Sequence, residues 1–230
     1  MPKGLQPKGI ARRNKMLLAA ITRFLVDGYE ETTTASIAKA AGMSASSFFA
    51  AFENKEALLL QLVKHMFTGQ FDEIFSIIGS NAEPVMIYAA ETSLQLYLSE
   101  LSEPLRELYV TAYSLPTTSE YIYQNTAKEL EQFFAPYNPG SSSRDFYELE
   151  IASAGIMRGF MAKPCDVYFT MNDKLRRFLG CCFTLYHVPQ SLQEQVIESV
   201  LEMDLHTTAV NLVRSVVAQA EAGFEAIMNK

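Results

Sequence analysis

The chain has little of what a catalytic, disulfide-linked or metal-binding protein needs. Its 230 residues include three cysteines, too few for a disulfide framework and typical of a reducing compartment. The three histidines, His65, His187 and His206, are far apart in sequence and lack metal-ligand spacing. There is no glycine-rich phosphate loop and no nucleophile elbow. We therefore expect no catalytic residue, no metal and no cofactor.

Long apolar runs are also missing. No segment approaches the roughly 18 consecutive apolar residues that would suggest a membrane span. The first residues are basic, but they lead into an amphipathic pattern instead of an apolar core with a cleavage site. These absences predict a cytoplasmic protein with no membrane partner.

Positive charge is scarce overall but is concentrated at one end. The net charge is −7, yet residues 1–65 carry nine basic and five acidic side chains, which leaves −11 for the remainder. A basic N-terminal segment followed by an acidic remainder suits a protein that binds phosphates through its N-terminal end alone. Chance scatter of surface charge would give the same numbers, so both interpretations stay open.

Helical periodicity dominates what is present, and no run alternates as a strand would. An apolar stripe predicts a first helix over 14–27, which Gly28 ends. Hydroxyl and asparagine caps predict further helices over 34–41 and 45–52 and from Asn54 onward. Two short helices joined by a turn containing Gly42 are what a helix-turn-helix requires. The sequence predicts an all-α protein with a three-helix DNA-binding domain at 1–54, including a basic arm at 1–13, and a larger helical domain at 55–230.

The segment 28–56 resembles the DNA-binding motif of the TetR family. It reads GYEETTTASIAKAAGMSASSFFAAFENKE. The order and spacing of the family pattern are all present. The matching elements are Gly28-Tyr29, Thr32-Thr33, Ile37-Ala38, Ala41-Gly42-Met43-Ser44, Phe52 and Lys55-Glu56. The remaining three-quarters of the chain agrees with the family only in length and helical character.

The resemblance implies that the third helix enters the major groove of operator DNA. It places one group of residues at the groove or its phosphates: Ser44, Ala45, Ser46, Ser47 and Phe49. It places a second group near the DNA backbone: Thr33, Lys39 and Lys55. The family often has Lys at position 45 and Tyr at position 49, so Ala45 and Phe49 remove groups that usually hold phosphate. We therefore expect Arg12 and Arg13 to supply affinity, although they could equally form a solvated tail.

The resemblance also implies a homodimer, since a two-fold protein presents two recognition helices to two half-sites. The segments 144–163 and 172–188 are the expected interface helices, with 204–228 as the competitor. The expected interface residues are Ala152, Gly155, Gly159, Phe178 and Cys182. Ordinary packing within one subunit would also explain the small residues.

A small, partly apolar effector is expected in the C-terminal region. The candidate lining residues are Phe67, Phe71, Phe75, Met86, Tyr88, Tyr97, Tyr109, Tyr113, Tyr121 and Met157. Aromatic and Met residues at helical spacing are more often ordinary core, so each assignment competes with that one. Arg158 interrupts an apolar run and is expected to pair with Glu150 or Glu91, unless it faces a partner subunit or an anionic ligand.

The resulting hypothesis is a dimeric transcriptional repressor that an effector releases from DNA. The alternatives are an activator, a regulator without an effector that answers to a protein partner, and a redox switch at Cys165, Cys181 or Cys182. Reactive thiols need exposure and nearby positive charge, and Cys181 and Cys182 lie in an apolar run, which predicts that both are buried.

Overall fold

The described chain is helical throughout. A computed structural model describes residues 7–79 and 82–228, with side chains for all of these except 7–8, 67–72 and 219–228. Within these ranges no β-strand forms, and only an isolated bridge joins Asp166 to Phe169. The all-α prediction is confirmed. The helices are α1 (Pro7–Asp27), α2 (Thr34–Ala40), α3 (Ala45–Phe49), α4 (Lys55–Ile78), α5 (Pro84–Glu100), α6 (Glu103–Ala112), α7 (Pro116–Phe134), a 3-10 turn (Ala135–Tyr137), α8 (Ser143–Ala162), α9 (Met171–Leu185), α10 (Gln190–Leu201) and α11 (Leu205–Met228).

Local capping sets the ends of the first helices. Gly28 and Gly42 have positive φ angles of 85° and 67°, a backbone conformation that glycine adopts without strain. Thr33 begins α2 with a reciprocal capping box to Ser36, and the Asn54 side chain accepts the Ala57 N–H at the start of α4. These glycines and caps separate α1, α2, α3 and α4, which would otherwise read as one helical run.

Helix α1 is longer than its apolar stripe predicts. It begins at Pro7 instead of residue 14, so Arg12 and Arg13 belong to a helix and not to a flexible arm. Residues 1–6 of the expected arm lie outside the described residues. Helix α3 is shorter than expected, because it ends at Phe49 instead of residue 52.

The first four helices share an apolar core. Phe24 from α1, Ile37 from α2 and Phe48 from α3 have no exposed surface. Phe48 also packs its ring against Phe52, with 5.9 Å between the ring centroids. This cluster fixes α3 by one side only, which leaves its opposite side facing solvent.

Helix α5 forms the centre of the C-terminal region and packs against helices on all sides, namely α4 and α6 through α11. Side chains are buried around its whole circumference, as expected for a helix inside a bundle. An aromatic cluster joins it to its neighbours: Tyr88 meets the edge of Phe134, and Phe134 stacks on Tyr186 with centroids 4.3 Å apart. The core therefore surrounds α5, and a cavity opens along one of its sides.

Candidate nucleic-acid interface and effector cavity

The solvent side of α3 is a small surface of hydroxyl and apolar groups. Ser44, Ala45 and Ser46 are exposed, Ser47 is half-buried, and the Phe49 side chain is 61% exposed. The Ser44 hydroxyl lies 2.9 Å from the hydroxyls of both Ser46 and Ser47. All five residues predicted from the motif thus lie together, and none of them is charged.

Arg13 lies at the far end of this surface. Its guanidinium is 4.6 Å from the centre of the Phe52 ring and donates a long hydrogen bond of 3.5 Å to the Ala51 carbonyl, just beyond α3. Arg12 is half-buried one residue earlier on α1. Arg13 therefore reaches the segment that follows α3, and Arg12 precedes it on the same helix.

Lys55 has a different role from the one expected. Its ammonium group donates to the Tyr29 carbonyl at 2.7 Å and to the Thr32 carbonyl at 3.0 Å, with a weaker contact to Glu30 at 3.4 Å. It also lies 4.1 Å from the centre of the Tyr29 ring. Because all three N–H donors are used by the loop before α2, the expectation that Lys55 contacts the DNA backbone is corrected. Lys39 and Thr33 remain exposed beside the α3 surface.

Two carboxylates join this N-terminal unit to the rest of the molecule. Glu107 on α6 accepts the Glu30 N–H at 2.6 Å, and a side chain at Gly28 would collide with the same carboxylate. Glu56 on α4 accepts the Thr117 N–H at 3.1 Å, at the start of α7. Sequence reasoning missed both contacts, because they join segments more than 60 residues apart and leave no local pattern.

A cavity of about 30 Å³ lies between α5, α6, α7, α8 and α9. Three of the predicted lining residues do line this cavity, namely Tyr88, Tyr113 and Met157. Polar residues that sequence reasoning missed complete its wall: Glu91, Thr92, Gln95, Thr126, Glu129, Glu150 and Ser153. A space of this size holds one or two water molecules, so a larger ligand requires the surrounding helices to separate.

The other predicted lining residues lie elsewhere. Tyr97 packs against the His206 ring, and Tyr121 lies beneath the Lys64 ammonium at 5.0 Å. Three more are part of the apolar core and not of the cavity wall: Phe75, Met86 and Tyr109. Phe67 and Phe71 lie outside the residues whose side chains are described. Most of the predicted lining residues whose side chains are described therefore pack in or against the apolar core, which was the alternative to cavity lining.

Three carboxyl groups dominate the electrostatics of the cavity. Burial raises the pKa of Glu91 to about 8, of Glu150 to about 8 and of Glu129 to about 7. Hydrogen bonds partly oppose this rise, because Gln95 donates to Glu91 at 2.7 Å and Ser153 donates to Glu150 at 2.5 Å. The cavity wall contains no Lys, Arg or His among the described residues. Arg158 is exposed and forms no ion pair with either buried acid within the described residues, which corrects its expected pairing.

One side of α8 carries small residues and is exposed to solvent. Ala152, Gly155 and Gly159 are exposed, and a methyl group added at either glycine would meet no atom within 4 Å. Phe178 and Cys182 were expected on the same interface, but both are completely buried inside the subunit. That expectation was wrong for these two residues, because they form the apolar side of α9 that packs inward.

Two of the three thiols, those of Cys165 and Cys182, favour the protonated form. Burial raises the pKa of Cys182 to about 12, and burial also raises the pKa of the half-buried Cys165. Both shifts disfavour the thiolate that oxidation requires. Cys181 is exposed, contrary to the prediction that it is buried. Across the described residues, no set of His, Cys, Asp and Glu side chains could hold a metal ion, and no helix has the length and apolarity to cross a membrane.

Comparison with known proteins agrees with this geometry. Residues 17–62, which span most of α1 and all of α2 and α3, match the family described as bacterial regulatory proteins, tetR family. We refer to this matched segment, residues 17–62, as the TetR-type domain. The chain is also similar to the uncharacterized HTH-type transcriptional regulator YdgC of Bacillus subtilis (strain 168), with 34% identity over 59 residues. That match covers 26% of this chain and 30% of the relative.

Proposed function

We propose that this protein is a transcriptional regulator that binds operator DNA as a homodimer and leaves it when a small molecule enters the cavity. Residues 1–54 would form the DNA-binding domain, and residues 55–230 the effector-binding and dimerisation domain. The observation that carries the proposal is the TetR-type domain with its exposed α3. The cavity between α5 and α9 supports the effector.

DNA recognition would rest on short-range contacts. The Ser44 and Ser46 hydroxyls can donate to or accept from base edges, and Ala45 can pack against a thymine methyl group. The exposed Phe49 ring adds apolar surface at the same place. Because this surface has no charge, Arg12, Arg13 and Lys39 would provide the phosphate contacts that contribute most of the affinity.

Dimerisation would use the exposed side of α8. Ala152, Gly155 and Gly159 allow the backbones of two helices to approach closely, and the neighbouring Ile151, which is 43% exposed, adds apolar surface to this side of α8. A two-fold axis at this face would also bring the exposed Arg158 of each subunit toward the other subunit.

The connection between cavity and DNA surface would run through α6 and α7. Helix α6 is capped by the cavity residue Tyr113 and holds the Gly28–Glu30 loop through Glu107. Helix α7 carries the cavity residue Glu129 and holds α4 through Thr117 and Glu56. A ligand too large for the 30 Å³ space binds only when these helices move apart, so it favours a conformation with displaced recognition helices.

Selection of bound DNA from a random pool tests the DNA-binding function. We expect an inverted repeat whose half-sites are about one helical turn apart, and we expect Ala45→Glu to abolish enrichment by placing a carboxylate against phosphate. Ala135→Glu changes an exposed residue far from α3 and serves as the matched control. Equal enrichment with both variants would contradict the proposed surface.

Sedimentation of glycine variants tests the dimer face. Gly155→Arg should convert the dimer to a monomer, whereas Gly155→Ala adds only a methyl group with free space around it. The alanine variant should keep the dimer and slightly raise the stability of α8, because alanine has the higher helix propensity. A dimer that survives Gly155→Arg would place the interface elsewhere, with α11 as the next candidate.

A further inference from the structure

The cavity wall carries acidic groups with no positive partner. Glu91 from α5 and Glu150 from α8 are each only 4% exposed, and Glu129 from α7 is half-buried beside them. Each of the two buried carboxylates receives one side-chain hydrogen bond, from Gln95 or Ser153, and none forms an ion pair within the described part of the chain. A buried acid without a counter-charge is costly to ionise, so the convergence of these acids on one cavity needs an explanation.

A second polar group in the same wall also lacks a partner. The Thr126 hydroxyl is buried from solvent and makes no hydrogen bond, although Thr126 lines the cavity. A hydroxyl oxygen can accept a hydrogen bond from an N–H donor. The wall therefore presents acceptors from three helices to one space, and it supplies no donor of positive charge to meet them.

Two hydrogen-bonded chains hold the carboxylates in position. Tyr113 donates to Gln95 at 2.8 Å, and Gln95 in turn donates to Glu91. Tyr186 donates to Ser153 at 2.8 Å, and Ser153 donates to Glu150. Such a chain orients an acceptor before a ligand arrives, which lowers the entropy lost on binding.

The three acids are close enough to influence one another but do not form a metal site. The pKa of Glu150 is raised by Glu91 and Glu129 in addition to burial. None of the three belongs to a described group that could coordinate a metal ion. Acidic side chains placed among aromatic ones such as Tyr88, Phe133 and Phe178 suit an extended organic cation, which gains from carboxylates that ionise on binding and from ring faces.

We propose that the effector of this protein is an organic amine or ammonium compound whose positive charge binds among Glu91, Glu129 and Glu150. This inference rests on the proposed effector function and specifies its chemistry. The 30 Å³ space accepts an ammonium group as it stands, since that group has about the size of a water molecule. The remainder of the ligand would enter by separating α6 and α7.

The amine should compete with protons for the cavity. The titratable groups that face the space are Tyr88, Glu91, Tyr113, Glu129 and Glu150. Burial raises the pKa of both tyrosines well above 10, so they stay neutral and only the acids titrate near pH 7. At that pH the two most buried acids are largely protonated, and an entering cation would drive their protons off.

The test compares ligands that differ only in charge. 2-Phenylethylamine is paired with 2-phenylethanol, and 1,4-diaminobutane with 1,4-butanediol, by titration calorimetry of the full chain at pH 7 in phosphate and in MOPS, a zwitterionic sulfonate buffer with a larger heat of ionisation. We expect each amine to bind at least about tenfold more tightly than its neutral partner. We also expect amine binding to release protons, which appears as a heat that depends on the buffer, and to strengthen from pH 6 to pH 9.

Glutamine variants locate the effect. Glu91→Gln and Glu150→Gln keep the side-chain shape and should lower amine affinity about tenfold each, while the exposed Glu148→Gln on α8 should leave it within about twofold. Glu129→Gln, at a half-buried position, gives the same test with the smallest risk to folding. Circular dichroism checks that every variant is folded.

The outcomes separate this inference from the proposed function. Equal binding of amine and alcohol, no binding of either amine, or no effect of the glutamine variants overturns the cationic effector. Release of the selected operator by 2-phenylethanol as readily as by the amine also overturns it, yet leaves an effector-controlled regulator standing. Failure of the unliganded chain to select DNA would reject the proposed function itself.

Discussion

The two ends of the molecule satisfy their polar groups in different ways. In the TetR-type domain, Thr33 pairs with Ser36, the Ser44 hydroxyl meets its neighbours, and all three donors of Lys55 are used by one loop. Around the cavity, Glu91, Glu129 and Glu150 have no counter-charge in the described structure, and the Thr126 hydroxyl has no partner. The contrast separates a TetR-type domain in which these polar groups are paired from a cavity wall in which the acidic groups lack a counter-charge.

The largest expected effect separates two adjacent phenylalanines of α3. Phe48→Ala should destabilise the protein by about 3–5 kcal/mol, because the side chain is fully buried among α1, α2 and α3. Phe49→Ala should change stability by less than about 0.5 kcal/mol, since that side chain is 61% exposed. It should nevertheless weaken operator binding. Denaturant unfolding and a DNA titration give both numbers, and similar unfolding energies for the two variants would contradict the orientation of α3.

A second pair of variants tests the hydrogen bonds that Lys55 forms within the TetR-type domain. Lys55→Met removes the donors to the Tyr29 and Thr32 carbonyls and should cost about 1–3 kcal/mol. Lys39→Met changes an exposed side chain and should leave stability unchanged while lowering DNA affinity at low salt. If instead Lys55→Met weakened DNA binding without a change in the unfolding energy, the structural role of Lys55 would be wrong.

A third prediction concerns the buried acids of the cavity and the dependence of protein stability on pH. Glu91 and Glu150 hold protons in the folded state up to a pKa of about 8, whereas unfolded carboxyls lose theirs near pH 4.5. The folded state therefore binds more protons between these values, and its stability falls as pH rises from about 5 to about 8. The slope should not exceed about 1.4 kcal/mol per pH unit for each group. Urea unfolding at several pH values should show the slope in the parent and in Glu148→Gln, and a flatter dependence in Glu91→Gln/Glu150→Gln.

The smallest effect concerns Arg12 and Arg13, two neighbouring arginines of α1. Arg12→Ala together with Arg13→Ala should lower affinity similarly for all DNA sequences. The double change should also reduce the slope of log affinity against log salt by about 1–2, as expected when two phosphate contacts are lost. Arg144→Ala, at an exposed position on α8, is the control and should leave the slope unchanged. An unaltered slope in the double variant would assign Arg12 and Arg13 to the packing of α1 alone.

The helices of the TetR-type domain were predicted well from the sequence, because the residues that set their ends act locally. Glycines at 28 and 42 and the caps at Thr33 and Asn54 each act within a few residues, so their spacing can be read along the chain. Lys55 was misjudged although its position was right. Its carbonyl partners lie 23 to 26 residues away, and a lysine looks the same in sequence whether it meets phosphate or a loop.

The cavity was the part that sequence reasoning described least well. Tyr88, Tyr113 and Met157 were chosen as apolar lining, but the acids that distinguish the site were not. Glu91, Glu129 and Glu150 come from three helices, and in sequence each resembles an ordinary surface glutamate. Their burial results from packing around α5, which periodicity within one helix does not report. Phe178 and Cys182 were misplaced for the same reason, since a helix has two sides and the sequence alone did not show which one faces inward.

The contact between Gly28 and Glu107 has a consequence for how this protein can vary in evolution. Position 28 has a positive φ angle and no room for a side chain while Glu107 reaches the Glu30 N–H. Asparagine tolerates that backbone conformation, so it is the natural replacement. It fits if the Glu107 side chain moves away or becomes shorter, and either change breaks the hydrogen bond to the Glu30 N–H. Homologues with Asn at 28 should therefore carry a smaller or displaced side chain at 107, and in those lineages α6 would contact the N-terminal helices through packing against α1 and α4 without this hydrogen bond.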